Sequence, residues 1–153
     1  MTEWHDIILR LGSAAIMGGI IGLNRNLHGK PSGLRTLSLV GLGAATTVML
    51  ATGDGGDPSA VSRVLQGLLT GVGFLGAGVI LHEASNQKVH GLTTAASIWV
   101  TACLGAACGG GAWRLALTAF GFVALILLFG GPVEKQLRLL RDRRKGPPGD
   151  SQV

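Results

Sequence analysis

Residues 64–82 read VLQGLLTGVGFLGAGVILH, nineteen positions without an Asp, Glu, Lys or Arg. A helix needs about 20 apolar residues to cross a hydrocarbon core of ~30 Å, so this stretch alone is nearly a membrane span. Inside it, Gly71-Val72-Gly73-Phe74-Leu75-Gly76 matches the G-x-G-x-x-G of dinucleotide-binding folds. That fingerprint needs a strand before it, an amphipathic helix after it and an acid about 20 residues on. Here the next acid, Glu83, stands seven residues beyond Gly76, and the flanks are apolar. The glycines therefore read as packing positions in a membrane helix.

The same pattern recurs outward from this stretch. Residues 11–24, 36–53, 89–113 and 115–133 are also free of Asp, Glu, Lys and Arg, and all 21 charged residues fall outside the five windows. The chain is 47% hydrophobic and 14% charged, with a mean hydropathy of +0.46. A soluble domain carries roughly 25% charged residues, so there is too little charge here to coat a water-soluble globule. The 26 glycines show no G-X-Y period, which excludes collagen, and they lie among Leu, Ile, Val and Ala rather than in a linker.

In lipid every backbone N–H and C=O must be paired within the protein, and no alternation at period two points to a barrel. The expected fold is all-α: a polytopic membrane protein of about five Gly-rich transmembrane helices. The spans fall near 7–23, 37–52, 64–81, 93–109 and 114–131. The first reaches a sufficient length when Arg10 extends to the interface along its aliphatic stem. The fourth ends in Gly109-Gly110-Gly111 and leaves a re-entrant segment open as an alternative. Residues 1–132 form the transmembrane domain. Residues 133–153 are expected to form a basic amphipathic helix, laid on the inner leaflet, and a disordered end.

Basic residues set the expected orientation. The loops 24–36 and 82–92 and the C-terminal tail hold ten Lys and Arg, against three (Arg10, Arg63 and Arg114) on the other side. The positive-inside rule then places the N-terminus outside and the C-terminus in the cytoplasm. The opening Met-Thr-Glu-Trp-His-Asp has no positive n-region, so no cleaved signal peptide is expected. Cys103 and Cys108, five apart, lie on different helix faces and are expected to form neither a disulfide nor a metal site.

Three groups of residues stand out. Close helix approach in lipid relies on small residues. Gly18/Gly22, Gly67/Gly71 and Gly105/Gly109 are spaced i, i+4, with Gly73, Gly76 and Gly78 beside them, and all are candidate packing positions. Gln66, Thr70, Ser97 and Thr101 are the polar side chains at membrane depth. They read either as groups satisfied by their own helices or as the lining of a hydrated cleft. At the cytoplasmic mouth gather Asn24, Arg25, Lys30, Arg35, Thr36, His90, Thr93 and Thr94. That cluster suits an anion or a lipid phosphate, with ordinary interfacial snorkelling as the other reading. Carboxylates are absent from the middle of every span, which weighs against a proton relay and against a Mg²⁺ site. No metal, cofactor or nucleic acid is expected.

Three motifs carry a family resemblance. Gly22-Leu23-Asn24-Arg25 with Gly29-Lys30-Pro31-Ser32-Gly33-Leu34-Arg35-Thr36 resembles the first signature of the MgtC/SapB family. Gln66–Leu81 is similar to the second, and His90–Ala102 to the third. The resemblance implies a multi-pass protein of the bacterial inner membrane, linked to growth in low Mg²⁺ and, in some members, to survival inside host cells. It also implies action on partner membrane proteins, the ATP synthase among them. Two departures accompany it. Asn24 and Asn26 stand where members often have Glu, and longer members carry a cytoplasmic ACT-like domain beyond the fifth span. The expected function is non-enzymatic, through helix contacts with the lipid bilayer around it and with a second copy or a partner membrane protein. The alternative is a small-solute or Mg²⁺/ion transporter. No nucleophile–base pair supports an enzyme.

Overall fold

Each of the five charge-free windows lies largely within a helix. The structure, a computed structural model, describes residues 3–53, 57–83 and 91–144. The helices are α1 (Trp4–Leu27), α2 (Leu34–Thr52), α3 (Pro58–Glu83), α4 (Leu92–Gly109) and α5 (Trp113–Arg144). Each contains a stretch long and apolar enough to cross a membrane, and no strand occurs among the described residues. The fourth is one unbroken helix of 18 residues that ends at Gly109, the first of the three glycines.

The helix ends follow from local chemistry. Two helices stop at a left-handed glycine. Gly29 (φ +61°) lets Lys30 N–H reach back to Arg25 O (3.0 Å) and its own N–H to Asn26 O (3.0 Å), closing α1. Gly111 (φ +71°) does the same for α4, with Ala112 N–H on Ala107 O (2.9 Å) and Gly111 N–H on Cys108 O (3.0 Å). These paired bonds satisfy carbonyls the helix would otherwise leave open. At the start of α3, Asp57 caps Ser59 N–H at 2.9 Å through Oδ1, and Pro58 takes the first helical position, where its missing N–H costs nothing.

By compactness the chain divides into Met1–Phe120 and Gly121–Val153. The second unit is described to Arg144 as the continuation of α5, unbroken through Gly130, Gly131 and Pro132. The remainder of the basic tail lies outside the described residues.

The first unit is built inside out relative to a soluble protein. Its buried positions are mostly small: Ala14, Ala44, Ala45, Ala102, Cys108 and Ala116 are all nearly inaccessible. Large apolar side chains such as Ile8, Ile16, Leu39, Leu50 and Phe74 point outward. That distribution suits lipid outside and close backbone packing within.

Glycines set the helix contacts. A Cβ built on Gly18 would collide with Leu37 O, one on Gly41 would lie 2.6 Å from Ala14 O, and one on Gly22 2.6 Å from Leu34 Cα. These three pairs run in opposite directions along the chain, so α1 and α2 are antiparallel. A Cβ on Gly105 would strike Gly41 O, and one on Gly109 would strike Ala45 O. Those pairs advance together, so α2 and α4 are parallel. α4 is the central helix, with half of its apolar window buried.

Candidate functional site

Arg25 is the only charged side chain among those buried in the described residues, at 3% exposure. It lies in the last turn of α1 and on the same face as Gly18 and Gly22, which bring α1 against its neighbours. Its guanidinium donates to the hydroxyl of Thr94 and, through Nη1, to Ser97 Oγ at 3.2 Å. Its Nε donates to Pro31 O at 3.2 Å. One side chain thus ties α1 to the first turns of α4 and to the loop leading into α2. Arginine suits this role because its fork presents several donors and keeps its charge.

The opposite end of α1 carries a matching contact. Arg10 Nη1 donates to Gly109 O, the last residue of α4, at 2.9 Å. Its Nε lies 2.9 Å from Asp6 Oδ2, an ion pair in which the N–H is not aimed at the carboxylate. A cation at the carbonyl end of a helix is favoured by the helix dipole. Arg10 and Arg25 are fifteen residues apart, and so are Gly109 and Thr94. At 1.5 Å per residue both separations are about 22 Å. The two arginines fix α1 and α4 antiparallel in a single register, and Gly18 meets Thr101 between them.

The residues expected at one mouth separate into distinct environments. Arg25 and Thr94 are joined, and Ser97 joins them from the group expected at membrane depth. Asn24 is half-buried and its carbonyl accepts from His28 Nδ1 at 2.7 Å. Lys30, Arg35, Thr36 and Thr93 are exposed. Arg35 and Thr36 stand at the start of α2, at one end of a groove between α2 and α3. His90 lies outside the described residues.

The intramembrane polar groups also divide. Ser97 and Thr101 are buried, and Thr101 is 1% exposed. Both hydroxyls donate to their own helix at 2.7 Å, Ser97 to Thr93 O and Thr101 to Ser97 O. Gln66 and Thr70 are exposed on α3, where Thr70 Oγ1 donates to Gln66 O at 2.8 Å.

So do the glycines. Gly18, Gly22, Gly105 and Gly109 sit on the backbone of a neighbouring helix, and Gly76 faces Ala95 Cβ at 3.4 Å. A Cβ on Gly67, Gly71, Gly73 or Gly78 would meet nothing within 4 Å. Among the described residues, nothing packs on these four glycines of α3.

Among the described residues no three His, Cys, Asp or Glu side chains gather as metal ligands. Cys103 and Cys108 are both free, and Cys108 Sγ lies 3.9 Å from Met17 Sδ in the packed interior.

Five helices long and apolar enough to cross a membrane, with mostly small residues at the buried positions of the first unit, define a multi-pass α-helical membrane protein. Residues 11–136 match the model of the MgtC family. The chain belongs to that family. It is 46% identical over 136 residues to protein SrpB of Synechococcus elongatus, covering 82% of this chain and 75% of SrpB. It is 41% identical over 130 residues to the putative magnesium transporter YhiD of Escherichia coli K12, covering 80% of this chain and 59% of YhiD. To protein MgtC of Brucella abortus it is 39% identical over 134 residues, covering 88% of this chain and 55% of MgtC. The chain thus spans a little over half the length of the last two relatives. No solved structure matches.

Proposed function

We propose that this chain is a non-enzymatic protein of the bacterial inner membrane. It acts by helix contacts with a partner membrane protein or a second copy of itself, in Mg²⁺ limitation or envelope stress. The N-terminus stands outside and the C-terminus in the cytoplasm, on the distribution of Lys and Arg.

One observation carries this reading: the outer face of α3. Gly67, Gly71 and Gly78 leave open space there, beside the exposed Gln66, Thr70 and Phe74. Among the described residues, Gly18, Gly22, Gly41, Gly105 and Gly109 of α1, α2 and α4 sit on a neighbouring backbone, whereas of the five α3 glycines only Gly76 meets another helix. An amide such as Gln66 facing hydrocarbon is unfavourable until it finds a partner, and interhelical polar contacts in membranes contribute ~0.6–2 kcal/mol each. A partner helix laid along α3 gains both the close approach and the hydrogen bond.

The name of YhiD as a putative magnesium transporter raises transport as the second reading. The path for such transport would be the stripe through Ser97 and Thr101. That stripe is packed shut, its hydroxyls are bound to their own helix, and the Arg25 guanidinium stands at its end. A fixed positive charge opposes a cation there.

Photocrosslinking from position 74 in native membranes tests the proposal. One stoichiometric partner, lost in Gly71→Leu while the protein remains folded, is the expected result. Ion flux in protein-containing liposomes that Thr101→Leu abolishes, with no such partner, would overturn it.

A further inference from the structure

We propose that the groove between α2 and α3 binds an anionic phospholipid, with an acyl chain along the groove and the phosphate at Arg35 and Thr36. This goes beyond the partner contact assigned to the outer face of α3 and uses a different side of that helix.

The groove has a volume of about 600 Å³. Leu39 and Gly43 of α2 face Leu68, Val72 and Leu75 of α3 across it. Its polar side chains, Arg35 and Thr36, stand together at one end. A charged head and an apolar channel in this order match an amphiphile, and neither a free anion nor a plain hydrocarbon would use both parts.

Length supports the match. The α2 residues of the groove run from Arg35 to Ala44, a rise of about 13 Å. Half of a ~30 Å hydrocarbon core is ~15 Å. The groove therefore has the depth of one leaflet, with its cation where the headgroups begin.

Charge points to the same occupant. Arg10 and Arg25 are engaged by α4, and Arg63 by Ser59 and Asp57. Arg35 makes no hydrogen bond or ion pair among the described residues. An uncompensated guanidinium at headgroup depth attracts a phosphate, which its fork can bind with two donors. Gly43 gives the groove its room, since a Cβ built on it would meet nothing within 4 Å.

The experiment is native mass spectrometry of the full chain released from detergent micelles. Phosphatidylglycerol and phosphatidylcholine with identical acyl chains serve as probes, and inorganic phosphate serves as competitor. The wild type should retain phosphatidylglycerol preferentially. Arg35→Gln should lower that preference about fivefold, as expected for ~1 kcal/mol per basic residue near an anionic surface. Gly43→Leu should lower retention of both lipids by filling the groove. Leu39→Trp fills it from a neighbouring position and should do the same, with circular dichroism and thermal unfolding establishing that each variant is folded.

The proposal falls if both folded groove-filling variants retain lipid as the wild type does. It also falls if inorganic phosphate displaces phosphatidylglycerol at equal concentration, which would make the site one for the free anion. Conversion of a dimer to a monomer by Gly43→Leu, with lipid retention unchanged, would assign the groove to a second copy instead.

Discussion

Gly105→Ala adds a single methyl group where α4 lies on α2. Its Cβ would overlap Gly41 O and lie 2.9 Å from both Gly41 C and Gly41 Cα. Ordinary contact begins near 3.4 Å, so the helices must part by more than about half an ångström even at the carbon atoms. Both sides of the clash are backbone, and no side chain can rotate away. The separation also loosens the neighbouring contact of Gly109 on Ala45 one turn further on. A gap of 0.5–1 Å forfeits a quarter to a half of each ~0.1–0.2 kcal/mol atom pair. Over a few tens of pairs the loss is ~1–3 kcal/mol, the range typical of overpacked cores. Alanine's better helix propensity returns up to ~1 kcal/mol.

The control is Gly71→Ala, the same chemical change where a Cβ meets nothing. It should be neutral or slightly stabilising in the isolated chain. Thermal unfolding in mild detergent, followed through Trp emission, separates the two. Gly105→Ala should melt several degrees below the wild type, at roughly 2–4 °C per kcal/mol for a chain of this size. Equal melting of Gly105→Ala and wild type, or a larger loss in Gly71→Ala, would refute the assignment of inner and outer glycines.

Other outcomes follow from the same contacts. Arg25→Met removes donors from Thr94, Ser97 and Pro31 O. It should destabilise by ~1–3 kcal/mol in the same melting assay, and Arg25→Lys should recover only part, since an ammonium lacks the fork. At the start of α3, the hydroxyl and backbone N–H of Ser59 hold the Asp57 carboxyl below its ordinary value of 3.8. A depressed carboxyl stabilises the fold above its unfolded pKa and loses that contribution as pH falls through the folded one. Amide-exchange protection of Ala60 and Val61 should therefore hold from neutral pH to about 4 and decline below it, and Asp57→Asn should abolish that dependence. For orientation, a reporter at Gly55 should read external and one at Gln87 internal, and the reverse pattern would invert the assigned topology.

The span count was legible because charge is excluded from lipid, and the sequence shows where charge is missing. The helix that contains the first span, Trp4–Leu27, runs beyond the expected 7–23 at both ends. Arg10 and Arg25 bound the charge-free window 11–24, and the expected span 7–23 takes in Arg10 but stops short of Arg25; both lie inside α1, whose ends they help to hold against α4. A charge satisfied by a neighbouring helix is invisible to a scan for apolar residues. The glycines show a related limit. Gly67/Gly71 and Gly105/Gly109 have the same spacing, and spacing defines a face without naming what lies opposite. Only the packed structure distinguishes Gly105, on Gly41, from Gly71, with nothing above it.

One clue to the assembly was available in the residue numbers. Gly18, Gly22 and Arg25 share a face of the first helix, and Thr94, Ser97 and Thr101 share a face of the fourth. The equal distance from Arg10 to Arg25 and from Thr94 to Gly109 lets both arginines bond only in an antiparallel register. A slip by one helical turn would draw at least one guanidinium away from its acceptors and toward lipid, at a cost of several kcal/mol. The two charges thus supply what Ala and Gly cannot, because small residues permit many close registers and an arginine at each end permits one. α3 has no buried arginine among its described residues and an open glycine face, and it is the helix to which the proposed function assigns a partner.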